Sequence, residues 1–332
     1  MIIHVKPSVT QEKLKELADF YEAIHFISDG THILVTPSAK KIVETAHQEL
    51  IEESWVFDSD IQLSSAKYLN QNREINFGDF SIGGKTNNTL MITGPCSVES
   101  EEQIRGVAQL LKKLEIKVLR AGCYKPRTSP YTFQGMGLDG LKLLAKIREE
   151  FGLKIITEVK DASHIDEVLE YADIVQIGAK AMYDQGILKK CAKSIKPILI
   201  KRGFGSTLQE FVQAAEFVLS GGNPNVILCE RGIRTFETKT RFTLDLCGVA
   251  YLKEYTNLPV ILDPSHAMGY AYGVPDLARA CVAMGIDGLL IETHPDPSKA
   301  KSDASQQLNF SEFETLFASL EKVANAVGRI MI

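Results

Sequence analysis

The sequence lacks the features that mark three large classes of protein. No apolar run in its 332 residues is long enough to span a bilayer, and the start, MIIHVKPSVT, lacks the basic and apolar regions of a signal peptide. The six cysteines form no CxxC pair. The formal net charge of −5 argues against nucleic acid as the main partner. These absences predict a cytoplasmic protein with neither a membrane nor a nucleic-acid partner.

Residues 1–65 are predicted to form a small α+β domain of the ferredoxin-like, or split βαβ, type. Its expected elements are strand Ile2–Val5, helix Thr10–Tyr21, a hairpin of Ile24–Ile27 and His32–Thr36 across Asp29-Gly30, helix Ser38–Leu50 and strand Trp55–Phe57. The domain carries no pair of acids and no metal-ligand spacing, so we expect a docking or regulatory role. Residues 66–89 are predicted as a linker followed by a hairpin that turns at Gly78.

From residue 90 to residue 332 one pattern repeats eight times. Helical segments, two with capping-box sequences (Ser100-x-x-Gln103 and Thr207-x-x-Glu210), separate eight short apolar strands. The expected strands are Leu90–Thr93, Val118–Ala121, Lys154–Thr157, Ile174–Ile177, Pro197–Ile200, Val226–Cys229, Val260–Leu262 and Gly288–Ile291. This α/β pattern predicts a (β/α)8 TIM barrel. An open doubly wound sheet is the alternative, although no GxGxxG follows the first strand.

Cations follow several of these strands, where the functional residues of a barrel gather. Because the carboxyl ends of the strands meet at one mouth, these cations would attract an anionic substrate, and the arginines suit phosphate or carboxylate groups. The run Lys125–Pro130, with two prolines, predicts a rigid loop for a phosphorylated ligand. The cations are Arg120, Lys125, Arg127, Lys180, Lys201, Arg202, Arg231 and Arg234.

The other polar residues at this mouth are typical metal ligands. Cys96, His266 and Glu292 follow three strands, and Asp303 lies in the loop beyond the last strand. Each of them alone is more often structural, but sulfur, nitrogen and oxygen donors at one mouth favour a site for one divalent metal ion. A metal-dependent hydrolase is a rival interpretation, although such sites usually draw several histidines to the metal.

Taken together, the motifs resemble those of 3-deoxy-D-arabino-heptulosonate 7-phosphate (DAHP) synthases, in the type I branch related to 3-deoxy-octulosonate 8-phosphate synthase. The resemblance covers about residues 90–328, and the N-terminal domain is similar to the regulatory domain of some members. The motifs that carry it are GPCSVES, KPRTSPYTFQG, QIGAK, KRGF, CERGIRTFE, DPSH and the segment from Glu292 to Lys301-Ser302-Asp303.

The resemblance implies an aldol-type condensation of phosphoenolpyruvate with erythrose 4-phosphate and water. Cys96, His266, Glu292 and Asp303 match the metal ligands, and the ion, such as Mn, Fe, Co or Zn, would polarise the aldehyde oxygen. Lys125 is the expected proton donor, and Asp263 would orient His266 or a water. Substrate contacts are expected from Arg120, Lys125, Lys180, Lys201, Arg231 and Arg234, and the acceptor's phosphate pocket from Arg127, Thr128 and Ser129. A homo-oligomer, specifically a homotetramer, and an aromatic amino-acid effector at the N-terminal domain are also implied.

Two departures from the family pattern leave the acceptor open. Lys180 stands where the family usually has an arginine, and Tyr270-Ala271-Tyr272 replaces a basic loop. One alternative is therefore a paralogue that uses another aldose phosphate, such as arabinose 5-phosphate. The other, motivated by the N-terminal domain, is a catalytically silent amino-acid sensor.

Overall fold

The computed structural model describes residues 1–28, 30–37, 47–125, 129 and 131–332. Its N-terminal part is a four-stranded antiparallel sheet of β1 (Ile2–Val5), β2 (Ile24–Ser28), β3 (Thr31–Val35) and β4 (Ile51–Trp55), with helix α1 (Gln11–Tyr21) after β1. Thr10 caps α1, because its side chain accepts a hydrogen bond from the N–H of Lys13.

The strand order β2-β3-β1-β4 is that of a split βαβ sheet. Strand β4 lies earlier than the predicted Trp55–Phe57, because Ile51 to Trp55 pair with β1 while the Phe57 side chain is buried in the core. The helix expected over Ser38–Leu50 falls largely outside the described residues, as does Asp29 of the hairpin turn. Within the described part of that helix, Gln48–Leu50 form a short 3-10 turn.

A closed barrel of eight parallel strands follows, which confirms the predicted fold. The strands are β7 (Asn88–Gly94), β8 (Val118–Arg120), β9 (Lys154–Val159), β10 (Ile174–Ile177), β11 (Ile198–Lys201), β12 (Val226–Glu230), β13 (Val260–Leu262) and β14 (Gly288–Glu292). Strand β14 pairs with β7 and closes the ring. The preceding hairpin of β5 (Glu74–Asn76) and β6 (Ser81–Gly83) packs Ile75 and Ile82 against inward barrel residues such as Leu90. This hairpin therefore lies at the end of the barrel where the strands begin.

Helices cover the outside of the barrel, and a short C-terminal strand, β15 (Ile330–Met331), pairs with the start of β7. The capping box at Thr207 and Glu210 is formed. At Ser100 only one of the two capping bonds is present, in which the Ser100 side chain accepts from the N–H of Gln103. No helix in the described part of the chain is long and apolar enough to cross a membrane. The helices are α2 (Glu101–Lys113), α3 (Gly137–Phe151), α4 (Ile165–Tyr171), α5 (Gln185–Cys191), α6 (Leu208–Leu219), α7 (Leu246–Tyr255), α8 (Pro264–Met268), α9 (Val274–Ala283) and α10 (Phe310–Ala326).

The segment that follows the N-terminal sheet is attached to helix α6 of the barrel. The carboxylate of Glu216, on α6, accepts hydrogen bonds from the backbone N–H groups of Gln62, Leu63 and Ser64. Leu63 and residues of the sheet, such as Ile2, also belong to the apolar core that surrounds the barrel. The small domain and the barrel are therefore in direct contact, through charge-assisted hydrogen bonds and through buried apolar surface.

Candidate active site

The carboxyl ends of the strands surround a cavity of about 290 Å³. Its position is the one at which barrels place their functional residues. The lining combines His266 with two carboxylates, Glu158 and Asp303, and two rings, Phe204 and Phe242. Five cations complete the polar lining: Lys125, Lys180, Lys201, Arg231 and Arg241. Such a cavity suits a small ligand that carries more than one anionic group.

The predicted metal ligands meet at one edge of this cavity. Ligand atoms of Cys96, Glu292 and Asp303 all lie within 4.8 Å of one another. The Sγ atom of Cys96 is 3.3 Å from Oδ2 of Asp303. His266, on α8, reaches the group through its Nε2 atom, which is 3.5 Å from Oε1 of Glu292. The barrel thus brings Cys96 together with His266, Glu292 and Asp303, which lie at least 170 positions later in the sequence. We call these four residues the donor cluster.

The chemistry of this donor set fits a divalent cation. Burial, together with the Glu292 carboxylate, raises the pKa of Cys96 to about 12, so a thiolate at this position needs a compensating positive charge. Although burial opposes it, His266 and Arg241 lower the pKa of Asp303 to about 2. Asp303 also has a left-handed backbone with φ of 47°, an unfavourable conformation that is common at functional sites. Sulfur, imidazole and carboxylate donors favour a transition metal over magnesium.

Asp263 orients His266 from the side opposite the cluster. Its Oδ2 atom lies 2.7 Å from Nδ1 of His266 and accepts a hydrogen bond of 2.5 Å from Nζ of Lys201. Burial opposes ionisation of Asp263, but His266 and Lys201 hold its pKa well below the usual range. With Nδ1 facing a carboxylate, the Nε2 atom of His266 faces Glu292, as expected of a metal-binding histidine.

Two further cations contact the donor cluster directly. The Nη1 atom of Arg120 donates to the Pro95 carbonyl at 2.9 Å and to Glu292 Oε1 at 2.5 Å. Nζ of Lys125 lies 3.1 Å from both the carbonyl oxygen and the sulfur of Cys96. Burial alone would lower the pKa of Lys125, but the neighbouring Cys96 and Glu158 raise it. Lys125 is therefore held as an ammonium group beside the cavity.

Five buried side-chain nitrogens have no hydrogen-bond partner among the described residues: Nε of Arg120, Nε of Arg202, Nη1 of Arg231, Nδ1 of His266 and Nε2 of His294. Two of them, Nε of Arg120 and Nη1 of Arg231, belong to guanidinium groups that contact the donor cluster or line the cavity. The Arg231 guanidinium also stacks on Phe242, 4.3 Å from the ring centroid. Buried donors are nearly always paired in folded proteins, so these two atoms indicate where an anionic ligand would bind.

The other predicted site residues lie outside the lining of the cavity. The Arg202 side chain does not line the cavity, because it is buried in ion pairs with Glu230 at 2.9 Å and Asp245 at 2.8 Å. Arg234 is exposed and stacks over Phe204 at 4.8 Å, and the Oγ atom of Ser129 accepts a bond from the N–H of Tyr131. Arg127 and Thr128 fall outside the described residues. Tyr270 and Tyr272 are 46% and 76% exposed and stack on each other.

Sequence reasoning missed three polar residues of the site. Glu158 directly follows the third predicted barrel strand. Because functional residues of a barrel gather at the carboxyl ends of its strands, this position alone could have identified it. Arg241 and Gln306 come from long loops, and no local motif marked them. The side-chain amide of Gln306 donates to Glu292 at 2.6 Å and accepts from Nη1 of Arg241 at 2.7 Å.

The chain is similar to known proteins of one family. Residues 65–329 match the DAHP synthetase I family. Phospho-2-dehydro-3-deoxyheptonate aldolase of Thermotoga maritima is 40% identical, with 99% of each chain covered. Its crystal structure superposes with a TM-score of 0.81 at 38% identity over 100% of this chain and 99% of that one. A 2-dehydro-3-deoxyphosphooctonate aldolase of Methylobacillus flagellatus is 33% identical over 73% of this chain and 94% of its own length.

Proposed function

The chain belongs to the DAHP synthetase I family, and we propose that its barrel mouth condenses phosphoenolpyruvate with D-erythrose 4-phosphate and water. The products are 3-deoxy-D-arabino-heptulosonate 7-phosphate and inorganic phosphate. This reaction is the first step of the shikimate pathway to the aromatic amino acids. The observation that carries the proposal is the junction of a cation-lined cavity with the Cys96, Glu292 and Asp303 cluster, because the reaction needs both an anion site and a metal.

Phosphoenolpyruvate would be held by cations on the floor and wall of the cavity. Lys125, Lys180, Lys201 and Arg231 line it, and the unpaired buried donor atoms of Arg120 and Arg231 support this assignment. Charge-assisted hydrogen bonds from several of these groups would hold both the phosphate and the carboxylate of phosphoenolpyruvate. By family resemblance, we assign the binding of the acceptor's phosphate to Arg127, Thr128 and Ser129. We assign Arg234 to substrate contacts at the exposed edge of the cavity.

One divalent metal ion would be held by Cys96, His266, Glu292 and Asp303. When bound, it supplies Lewis-acid polarisation of the acceptor's aldehyde oxygen. Lys125 lies beside Cys96 and is the residue that can donate a proton to the alkoxide formed from that aldehyde. Asp263 keeps His266 in the orientation that directs Nε2 to the cluster.

The N-terminal domain would serve regulation. We assign residues 1–65 to the binding of an aromatic amino acid, a product of the same pathway, and the chain to a homo-oligomer of four subunits. The attachment of this domain to α6 through Glu216 supports regulation of the barrel by the domain, because α6 follows the strand that carries Lys201.

One assay tests the proposed reaction. The protein is incubated with Mn²⁺ or Zn²⁺, phosphoenolpyruvate and a panel of aldose phosphates, and the loss of phosphoenolpyruvate is followed. We expect loss only when metal and acceptor are both present, with erythrose 4-phosphate preferred. Loss without any aldose phosphate would indicate a hydrolase, and no loss with any acceptor would indicate a sensor. Either result would contradict the proposal.

A further inference from the structure

Arg241 occupies the space beside the end of helix α8, which carries His266. Its backbone N–H donates to the Met268 carbonyl at 3.2 Å, and the next N–H, of Phe242, donates to Ala267 at 2.8 Å. Gly269 has a φ of +76°, and a Cβ atom there would lie 2.6 Å from Cβ of Arg241. The two segments are therefore packed closely enough to place the Arg241 guanidinium at the cavity wall.

From this position one nitrogen of Arg241 contacts Asp303 of the donor cluster and the neighbouring Gln306. Its Nη1 atom donates to Oε1 of Gln306 at 2.7 Å and lies 3.6 Å from Oδ1 of Asp303. The Gln306 side chain is buried, and its Nε2 donates to Oε2 of Glu292 at 2.6 Å. A continuous path of contacts thus runs from Arg241 through Gln306 to Glu292.

The chemistry of the three groups fixes the direction of these hydrogen bonds. A guanidinium can only donate, so Gln306 must present its carbonyl oxygen to Arg241 and its NH₂ group to Glu292. Without Arg241 the amide could turn over, and its oxygen would then face a carboxylate oxygen. The orientation that Arg241 imposes occupies Oε2 of Glu292 and leaves Oε1 on the side of His266 and Arg120.

We propose that Arg241 is a positioning residue for the metal site, acting on Glu292 through the amide of Gln306 and on Asp303 directly. This inference rests on the proposed function, because it assumes that Glu292 and Asp303 bind a metal ion. Residues behind metal ligands typically change metal affinity by about 10- to 100-fold when they are removed. Arg241 variants should therefore weaken metal binding in the absence of any substrate.

The test measures the dissociation constants of Mn²⁺ and Zn²⁺, each alone, by competition with a chelating dye on the full chain. Arg241→Ala and Gln306→Ala should each raise them by about 10-fold or more. The loss in the double variant should be clearly smaller than the two single losses combined, because Gln306 lies on the path by which Arg241 acts on Glu292. Arg241→Lys should recover much of the loss, since lysine can also only donate. Lys239→Ala, an exposed cation two residues away, is the matched control and should bind as the unchanged protein does.

Three results would overturn this role for Arg241. They are unchanged metal binding in Arg241→Ala, additive losses in the double variant, or a rise only in the KM of the aldose phosphate. If circular dichroism shows that Arg241→Ala does not fold, the metal affinities of Arg241→Lys and Arg241→Gln are compared instead. Glutamine can both donate and accept a hydrogen bond, so Arg241→Gln should bind metal more weakly than Arg241→Lys. Failure of the unchanged protein to bind either metal would instead contradict the proposed metal site itself.

Discussion

The sulfur of Cys96 lies 3.3 Å from a carboxylate oxygen of Asp303, although 207 positions separate the two residues in the chain. Glu292 completes a group of three acidic donors within 4.8 Å of one another. Arg120 contacts Glu292 and Lys125 contacts Cys96, and thiol and carboxylate groups at this spacing are also ligands that a divalent transition metal prefers. The arrangement is therefore suited to a bound metal ion.

The first prediction follows from this cluster. Chelation should abolish turnover, and added Mn²⁺ or Zn²⁺ should restore it. Cys96→Ala should lower both the bound metal, measured by elemental analysis, and the activity by at least about tenfold, since the softest ligand is lost. Cys247→Ala, at an exposed cysteine, is the matched control. Full metal content and full rate in Cys96→Ala would rule out the ligand assignment.

The second prediction concerns Lys180, which lines the cavity where the family usually has an arginine. A lysine makes one charge-assisted contact with a phosphate, whereas an arginine can make two parallel ones. Lys180→Arg should therefore tighten phosphoenolpyruvate binding by about tenfold, or ~1–2 kcal/mol, if the larger head is accommodated. Calorimetric titration with phosphoenolpyruvate measures this change. Lys180→Met, which removes the charge, should weaken binding, and equal affinity in all three proteins would exclude a contact.

The third prediction concerns the acceptor. The Tyr270 and Tyr272 side chains are exposed, stack on each other with ring centroids 6.0 Å apart, and do not line the cavity. Tyr270→Ala and Tyr272→Ala should consequently leave the preference among aldose phosphates unchanged, with erythrose 4-phosphate best. The ratio of kcat/KM values across the panel is the measurement. A kcat/KM that is higher by about tenfold or more for another aldose phosphate in the unchanged protein would overturn this choice of acceptor.

The barrel was predictable because its strands are buried on both faces and appear as apolar runs. Ile174–Ile177 and Val260–Leu262 match the observed strands without any shift, and the other six differ by a few residues at their ends. The N-terminal sheet was harder. Trp55 and Phe57 are both apolar, and only the pairing of β4 with β1 shows that Trp55 ends the strand while Phe57 packs in the core.

The proposed metal ligands were predictable because functional residues of a barrel gather at the ends of its strands, but the residues that contact these ligands from behind were not. Glu292 ends β14, and Cys96 and His266 come shortly after β7 and β13, so their convergence follows from the fold alone. Arg241 and Gln306 reach the same place from loops whose paths depend on tertiary packing, including the close approach at Gly269. The same limit explains Arg202. Its place after a strand suggested that it lines the cavity, whereas ion pairs with the buried Glu230 and the partly exposed Asp245 hold its side chain away from the cavity.

The last prediction concerns the N-terminal domain. A chain starting near Ala66 should still turn over, since the cluster and the cavity lining lie wholly in the barrel. The same chain should lose inhibition by tyrosine or phenylalanine. It should also melt at a lower temperature, because Glu216 loses the N–H groups of Gln62, Leu63 and Ser64.

The control for this truncation is Glu216→Gln in the full chain, which keeps the domain but weakens its charge-assisted attachment. If the attachment carries the inhibitory signal, Glu216→Gln should reduce the inhibition while the basal rate stays near that of the unchanged protein. Rates with and without tyrosine or phenylalanine, together with melting temperatures, separate the two effects. Inhibition that persists in full after truncation would place the effector site on the barrel. Loss of all turnover on truncation, in a chain that still folds, would show that the barrel needs the N-terminal domain for catalysis.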